Sequence, residues 1–486
     1  MTLFLACLSF LIPAEMPALG AVRQVDPVLL ATARQLEGRV AYGIYISGKR
    51  VGFEIEDTSV VLWQGALALR QVTDSDLDIR IENTRNRMVS RETSINALYG
   101  DGPVVFYKAS IDEAGERVER HAVENAKGGL RLTTQRRGRT ENRDIDFPKA
   151  NLRDSALYLA WLKKVPAIGA RLNSWSCSWD KDNVDAPVVR MVRSGLSKGT
   201  PAVFQVEERV DGAVTLVDTT PTGDAVRLRI GPMDLRIEDE LKARMLERGT
   251  VDLMDAASVA LNRDLGDPRT VDRLMLKVVG LEDFVPPVDS RQKVEPLGAG
   301  QWRVTLERDI ARATGQPLQA TERATMVSPT VAIQSADPKV IALAKKWGAN
   351  EKRPAELAAN LCRGVYKYLK KILGANSEDA LTIIDRREGD CTEHTLLFVA
   401  VARAAGLPAR EVGGLAYGQV KGKPVLAWHA WPEYHDGKQW RAVDPTWNEP
   451  DGVDGTHWKL SVGDRDAAWL NLMGKLKVEV EKVETR

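Results

Sequence analysis

The sequence predicts an α+β protein: an antiparallel β-rich region followed by a smaller domain in which a cysteine-bearing helix packs on an antiparallel sheet. Three observations predict it. From about residue 41 to 309, apolar and polar residues alternate between Gly-marked turns, the grammar of hairpins. From residue 337 the apolar spacing becomes helical. Four of the five histidines (His394, His429, His435 and His457) crowd into that last stretch, against one, His121, in the β-rich part.

Composition bounds the answer before any motif is read. The 486 residues are 44% apolar and 28% charged, the balance of a globular chain long enough for about two to four domains that fold on their own cores. The 68 Lys+Arg are matched by 67 Asp+Glu, for a formal charge of +1, so the basic surplus of a nucleic-acid binder is missing. Beyond the N-terminus no apolar run approaches the roughly 20 residues of a bilayer span. Neither a nucleic-acid partner nor an integral membrane domain is expected, and no motif calls for a cofactor.

Along the chain, Leu3 to Ala14 is an apolar run ending near small residues, with Ala18 and Gly20 set for cleavage after Gly20. Residues 1–20 therefore read as a signal peptide, and the mature protein is expected to be periplasmic or secreted. Its removal leaves Cys177, Cys362 and Cys391, an odd number that points to a thiol kept free in an oxidising compartment. Residues 22–310 form the β-rich domain or domains, an antiparallel sheet or sandwich of two similar halves with one helix near 154–164. Residues 311–336, rich in Thr, Gly, Pro, Gln and Ser, read as a linker. Asp337-Pro338 opens a helix, and a second runs from about Pro354 to Leu373. The catalytic domain spans 337–465, and 466–486 is a C-terminal tail.

Chemistry concentrates at two places. Gly389-Asp390 precedes a nearly all-apolar helix that ends at Gly406, so Cys391 falls in the helix's first turn, where the macrodipole favours a thiolate. Downstream, Asp436-Gly437 marks a two-residue hairpin turn between strand-like runs. In that register His435 pairs with Lys438 and His429 faces Asp444 across the hairpin, Cβ atoms about 4.5–5.5 Å apart. A carboxylate so placed fixes the tautomer of an imidazole and stabilises its protonated form. Cys391, His429 and Asp444 are the candidate nucleophile, base and orienting acid. His394, one helical turn from Cys391, reads as a satisfied core histidine.

Taken in order, Gly389-Asp390-Cys391, Ala405-Gly406-Leu407-Pro408-Ala409-Arg410, Trp428-His429-Ala430-Trp431 and Val443-Asp444-Pro445-Thr446-Trp447 resemble the transglutaminase-like superfamily, from about Asp337 to Gly463. The resemblance implies a papain-like fold, with Cys391 as nucleophile, His429 as general base and Asp444 as the residue that orients it. The β-rich region is similar to what precedes this domain in some bacterial members. The calcium sites and the oxyanion-stabilising Trp of animal transglutaminases have no matching position here. The implied activity is attack on an amide carbonyl of a protein or peptide, at Gln, another amide side chain or the backbone, through a thioester. Hydrolysis by a protease or amidase and acyl transfer to an amine share that first half-reaction. Two other readings stand beside it: a non-catalytic envelope binding module, and a zinc protein using the C-x-x-H pair Cys391 and His394 with His429.

Overall fold

The structure, a computed structural model, describes residues 24–486 apart from 82–83, 114, 246–250, 253–257, 282–283, 312–314, 376, 378 and 464–467. The signal peptide expected over residues 1–20 lies outside the described residues.

Fourteen strands between Gly38 and Glu238 make one antiparallel sheet. It consists of two meanders, over 38–145 and 171–238, that meet where Gly38–Ile46 pairs with Met233–Glu238, Ala41 opposite Glu238 and Ile46 opposite Met233. The two expected halves are thus joined edge to edge, not stacked face to face. Period-2 patterning explains each strand: in Glu116–Glu124, Val118, Arg120 and Ala122 are buried while Arg117 and His121 are exposed. The helix Leu152–Lys163, capped by Asn151 accepting from the Asp154 N–H, ties the meanders together. Its Leu152 packs with Leu69 and Leu98 of the first meander, and its Leu162 with Val192, Phe204 and Val206 of the second.

The C-terminal half holds a second sheet, in which Lys423–His435 lies between Ala409–Val420 and the short strand Val259–Ala260, and Trp458–Val462 borders Ala409–Val420. Trp440–Ala442 pairs with the same Lys423–His435 strand. A third sheet orders Gln292–Gly298, Gln301–Glu307, Val271–Val279 and Lys477–Thr485. Within the segment expected as a tail, 466–486, Lys477–Thr485 therefore returns to pair with Val271–Val279. The reason is apolar: alternate residues Leu274, Leu276 and Val278 are fully buried against Leu426, Trp458 and Leu460 of the second sheet. Within the segment expected as a linker, Ala320–Val327 forms an exposed helix.

The cysteine helix, Cys391–Ala404, is buried from Glu393 to Ala402. Helices Pro338–Gly348 and Pro354–Tyr368 and the hairpin of the second sheet enclose it. Full burial of a side chain such as Leu397 or Phe398 is worth about 1.5–3 kcal/mol, so this element is held rigidly. The helix expected to reach Leu373 stops at Tyr368, because Lys370–Lys371 leaves to pair with Glu388–Gly389 just ahead of the cysteine.

The large sheet touches this half directly. Arg136 Nη1 lies 2.6 Å from Asp379 Oδ2, in an almost dry contact, and Arg386 Nη1 lies 2.7 Å from Glu116 Oε2. Both contacts involve the helix Ala380–Arg386 that leads into Cys391. On another side the Val214 N–H donates to Asn471 Oδ1 at 2.8 Å. Between these contacts a cleft opens.

Candidate active site

Cys391 and His429 line this cleft, a cavity of about 920 Å³ whose lining also takes in Arg139 and Arg143 of the large sheet and Trp179 of the turn after Arg171–Cys177. The sulfur is placed by the helix start. Asp390 is the N-cap, its Oδ1 accepting from the Thr392 N–H at 2.9 Å, while Glu393 Oε2 accepts from the Asp390 N–H at 2.8 Å, a reciprocal capping box. Behind it, His394 is buried and its Nδ1–H donates to the Asp390 carbonyl at 2.6 Å. It secures the turn that carries the cysteine, as a satisfied core histidine does.

The charge state of Cys391 departs from the expected thiolate. Burial and the Asp390 carboxylate push the thiol up to about 12, with Glu393 and Asp444 adding to the effect and a hydrogen bond from the Ala430 N–H opposing it. The cap that builds the helix start also takes up the Thr392 N–H and sets a negative charge beside the sulfur, opposing the macrodipole's help. The resting thiol is neutral. Glu393 is itself pushed up to about 9 by burial and the neighbouring Asp390 charge.

His429 is buried on the strand Lys423–His435, next to the Ala430 that touches the sulfur. Its Nε2–H donates to Asp444 Oδ2 at 2.8 Å, a tautomer in which Nδ1 carries the lone pair. Trp447 stacks on the ring at a centroid distance of 4.1 Å and 9° between planes. Asp444 is fully buried, and its Oδ1 accepts from the N–H groups of Thr446 and Trp447 at 2.6 and 3.3 Å. Burial opposes its ionisation, but His429 and His457 hold the carboxyl well below its usual range.

The contact is as expected but the register behind it is not. Lys423–His435 pairs with Trp440–Ala442 as His435 with Trp440, Tyr434 with Arg441 and Glu433 with Ala442. The loop is therefore Asp436 to Gln439, and His435 does not pair with Lys438. The Asp436 carboxylate causes this by accepting from the N–H groups of Lys438 and Gln439 at 2.8 and 2.9 Å, which favours a longer turn. Pairing ends at Ala442, past which Pro432 has no N–H to give. Asp444 instead enters a closed loop, pairing with Glu449 through backbone hydrogen bonds of 3.1 and 2.8 Å, and it is this loop that carries the carboxylate to His429.

One residue at the site carried no role in the sequence reading. His457 is fully buried, with Nε2 3.4 Å from Asp444 Oδ2 and Nδ1 3.2 Å from Asp454 Oδ1. The signal available was its place among the crowded histidines; what hid it was the lack of any short-range pattern linking it to Asp444. His435 lies at the loop end of the hairpin, where its Nδ1 accepts from the Gly437 N–H, and His121 is on the large sheet. The zinc set of Cys391, His394 and His429 is not gathered: among the described residues, neither group of close donor atoms includes Cys391 or His394.

Comparison with known proteins follows the same residues. A family model, Transglutaminase-like superfamily, matches residues 341–445, a segment that holds Cys391, His429 and Asp444 and stops short of His457. A protein-glutamine gamma-glutamyltransferase of Pseudomonas aeruginosa is 32% identical over 124 residues, 23% of this chain and 18% of that protein, so the chain spans under a fifth of that relative's length. Two solved structures are similar in part. One, from Cytophaga hutchinsonii and described as a "putative cysteine protease", is 17% identical with a TM-score of 0.29, covering 44% of this chain and 86% of that one. The other, a "putative protease" from Parabacteroides distasonis, is 11% identical with a TM-score of 0.19, covering 71% and 68%. It is over residues 341–445 that this chain resembles the transglutaminase-like superfamily.

Proposed function

We propose that the protein is an exported cysteine enzyme that attacks an amide carbonyl of a protein or peptide through Cys391, with His429 as general base and Asp444 as its orienting acid. The observation that carries this reading is the buried 2.8 Å contact between His429 and Asp444, one residue from the backbone N–H that meets the Cys391 sulfur. Because the thiol is neutral at rest, the base has a task to perform. His429 Nδ1 takes the thiol proton as the sulfur attacks the carbonyl carbon, and the Asp444 carboxylate stabilises the imidazolium so formed. The Cys391 N–H, at the first helical position and without an acceptor within its own helix, is available to the developing oxyanion. Collapse of the tetrahedral species breaks the C–N bond, the imidazolium hands its proton to the leaving nitrogen, and a thioester remains. Water, or an amine, then attacks the thioester with His429 again taking a proton, which regenerates the thiol.

Net hydrolysis is the reading placed first, with transfer to an amine the alternative fate of the same thioester. The test is mass spectrometry of Gln-containing peptides incubated with the enzyme, with and without a primary amine. Cleavage or deamidation that needs Cys391 supports hydrolysis; a mass gain equal to the amine supports transfer. No change in either, with Cys391 inert to iodoacetamide, returns the protein to the class of binding modules.

A further inference from the structure

We infer that His457 is a positioning residue of this site: a buried imidazolium that holds Asp444 through the same oxygen, Oδ2, that meets His429, and is itself held by Asp454. The inference rests on the Cys391, His429 and Asp444 reading above. It starts from hydrogen-bond arithmetic. Both ring nitrogens of His457 face carboxylate oxygens, Nε2 toward Asp444 Oδ2 at 3.4 Å and Nδ1 toward Asp454 Oδ1 at 3.2 Å. An ionised carboxylate only accepts, so both nitrogens must donate, and an imidazole that donates twice carries a positive charge. Its electrostatics agree: although burial works against charge, Asp454 and Asp444 push His457 up to about 10.

The surroundings hold this cation in one place. Asp454 Oδ1 also accepts from the N–H and Oγ1–H of Thr456, which fixes the turn that presents His457. Arg291 Nη1 donates to the His457 carbonyl at 2.8 Å, tying it to the segment ahead of Gln292–Gly298. Gly414 lets the strand beginning at Trp458 come close, since a Cβ there would run into the Trp458 carbonyl and the Trp431 ring. Trp431 meets the His457 ring edge-on at 5.1 Å. The charged and titratable groups facing His457 are Asp444, Asp454, Glu449 and His429; Cys362, on Pro354–Tyr368, faces Asp444 as a buried neutral thiol.

The consequence falls on His429. Asp444 Oδ2 is shared between two imidazoles, and the His457 charge lies 5.7 Å from the His429 ring, centroid to centroid. A fixed cation there keeps Asp444 ionised, so the Nε2–H tautomer of His429 is maintained. It also makes a second positive charge on His429 costly, so His429 gives up the thiol proton readily to the leaving nitrogen. At an effective dielectric of about 20, two unit charges at this separation repel by the equivalent of about two pH units.

The experiment is the pH profile of Cys391 alkylation by iodoacetamide, read by mass spectrometry on the full chain, for wild type, His457→Gln, Asp454→Asn and His429→Ala. Gln keeps one donor for Asp444 and loses the charge, so the acid limb of His457→Gln is expected to move up by about one to two pH units, and that of Asp454→Asn in the same direction by less. If His457→Gln does not fold, nitrogen-15 histidine spectra of the wild type decide: one histidine with both ring nitrogens protonated at mildly alkaline pH supports the clamp, and none overturns it. A folded His457→Gln whose acid limb superimposes on wild type overturns the inference, as does one equivalent of bound metal that His457→Gln loses, because a metal needs the ring's lone pair. An unchanged profile in His429→Ala instead overturns the underlying triad, which separates the two failures.

Discussion

Replacing Asp444 with Asn keeps size and shape while removing one charge, and the structure sets how much that costs. The carboxylate is fully buried and accepts from two imidazoles and two backbone N–H groups. Asn retains an oxygen for the Thr446 and Trp447 N–H groups, but its NH₂ then points donors at the donors His429 Nε2–H and His457 Nε2–H. Two things follow. His457 is left with Asp454 alone in a dry site, and breaking a buried pair in this way costs about 3–5 kcal/mol of stability. His429 relieves the clash by moving its proton to Nδ1, which removes the lone pair needed by the thiol. A preformed thiolate would make this loss modest, on the order of 10–10³-fold. The Cys391 thiol pushed up to about 12 argues for more, near the ~10⁴-fold seen when a serine triad loses the corresponding charge. The assay is kcat/KM on a Gln-containing peptide, measured well below the variant's melting temperature, with Cys391 alkylation as the substrate-free check. A variant that is destabilised but keeps wild-type kcat/KM would refute the assignment of Asp444 as the orienting acid.

Other expected outcomes are independent of that one. Cys391→Ala should abolish turnover while changing stability by less than about 1 kcal/mol, since the change removes one sulfur atom at a helix start and Ala suits a helix, and a denaturant melt alongside the peptide assay checks both. In the folded wild type, iodoacetamide should reach Cys391 before Cys362, which is fully buried with its thiol pushed well above the usual range, and peptide mapping reads the order. One residue inserted between Asp436 and Gly437 should leave activity within about tenfold, because Asp444 is held by its own loop to Glu449 and not by hairpin register; loss to the level of Cys391→Ala would return the contact to the hairpin. Stability should fall as pH rises from near neutral toward 10. Glu393, at about 9, and His457, at about 10, both bind protons more tightly folded than unfolded, so each contribution is whole below the unfolded value and lost through the folded one. Asp444 acts with the opposite sign: its contribution is present above the usual carboxylate range and lost in acid. A thermal melt series over pH that shows no alkaline decline would contradict these assignments.

Local chemistry was legible in the sequence because its causes are local. The Gly-marked alternation of the large sheet, the Gly389-Asp390 turn with Cys391 behind it, and the Gly406 stop all depend on neighbours a few residues away, where period and turn chemistry act. The pairing of His429 with Asp444 was also readable as a contact, though for a reason that failed: the Asp436 side chain set a longer loop, and Pro432 ended the ladder before it reached either residue. Tertiary structure alone decided the rest. The return of Lys477–Thr485 to pair with Val271–Val279 is dictated by burial of faces distant in sequence. The charge of Cys391 depends on burial summed with three carboxylates, Asp390, Glu393 and Asp444, that no helix-dipole argument weighs. The role of His457 needed Asp444 and Asp454 to converge on one ring in a dry interior, where a few ångströms decide whether a histidine is neutral or charged. Sequence carries the residues and their short-range geometry; electrostatics in a low-dielectric interior exists only once the chain has closed around it.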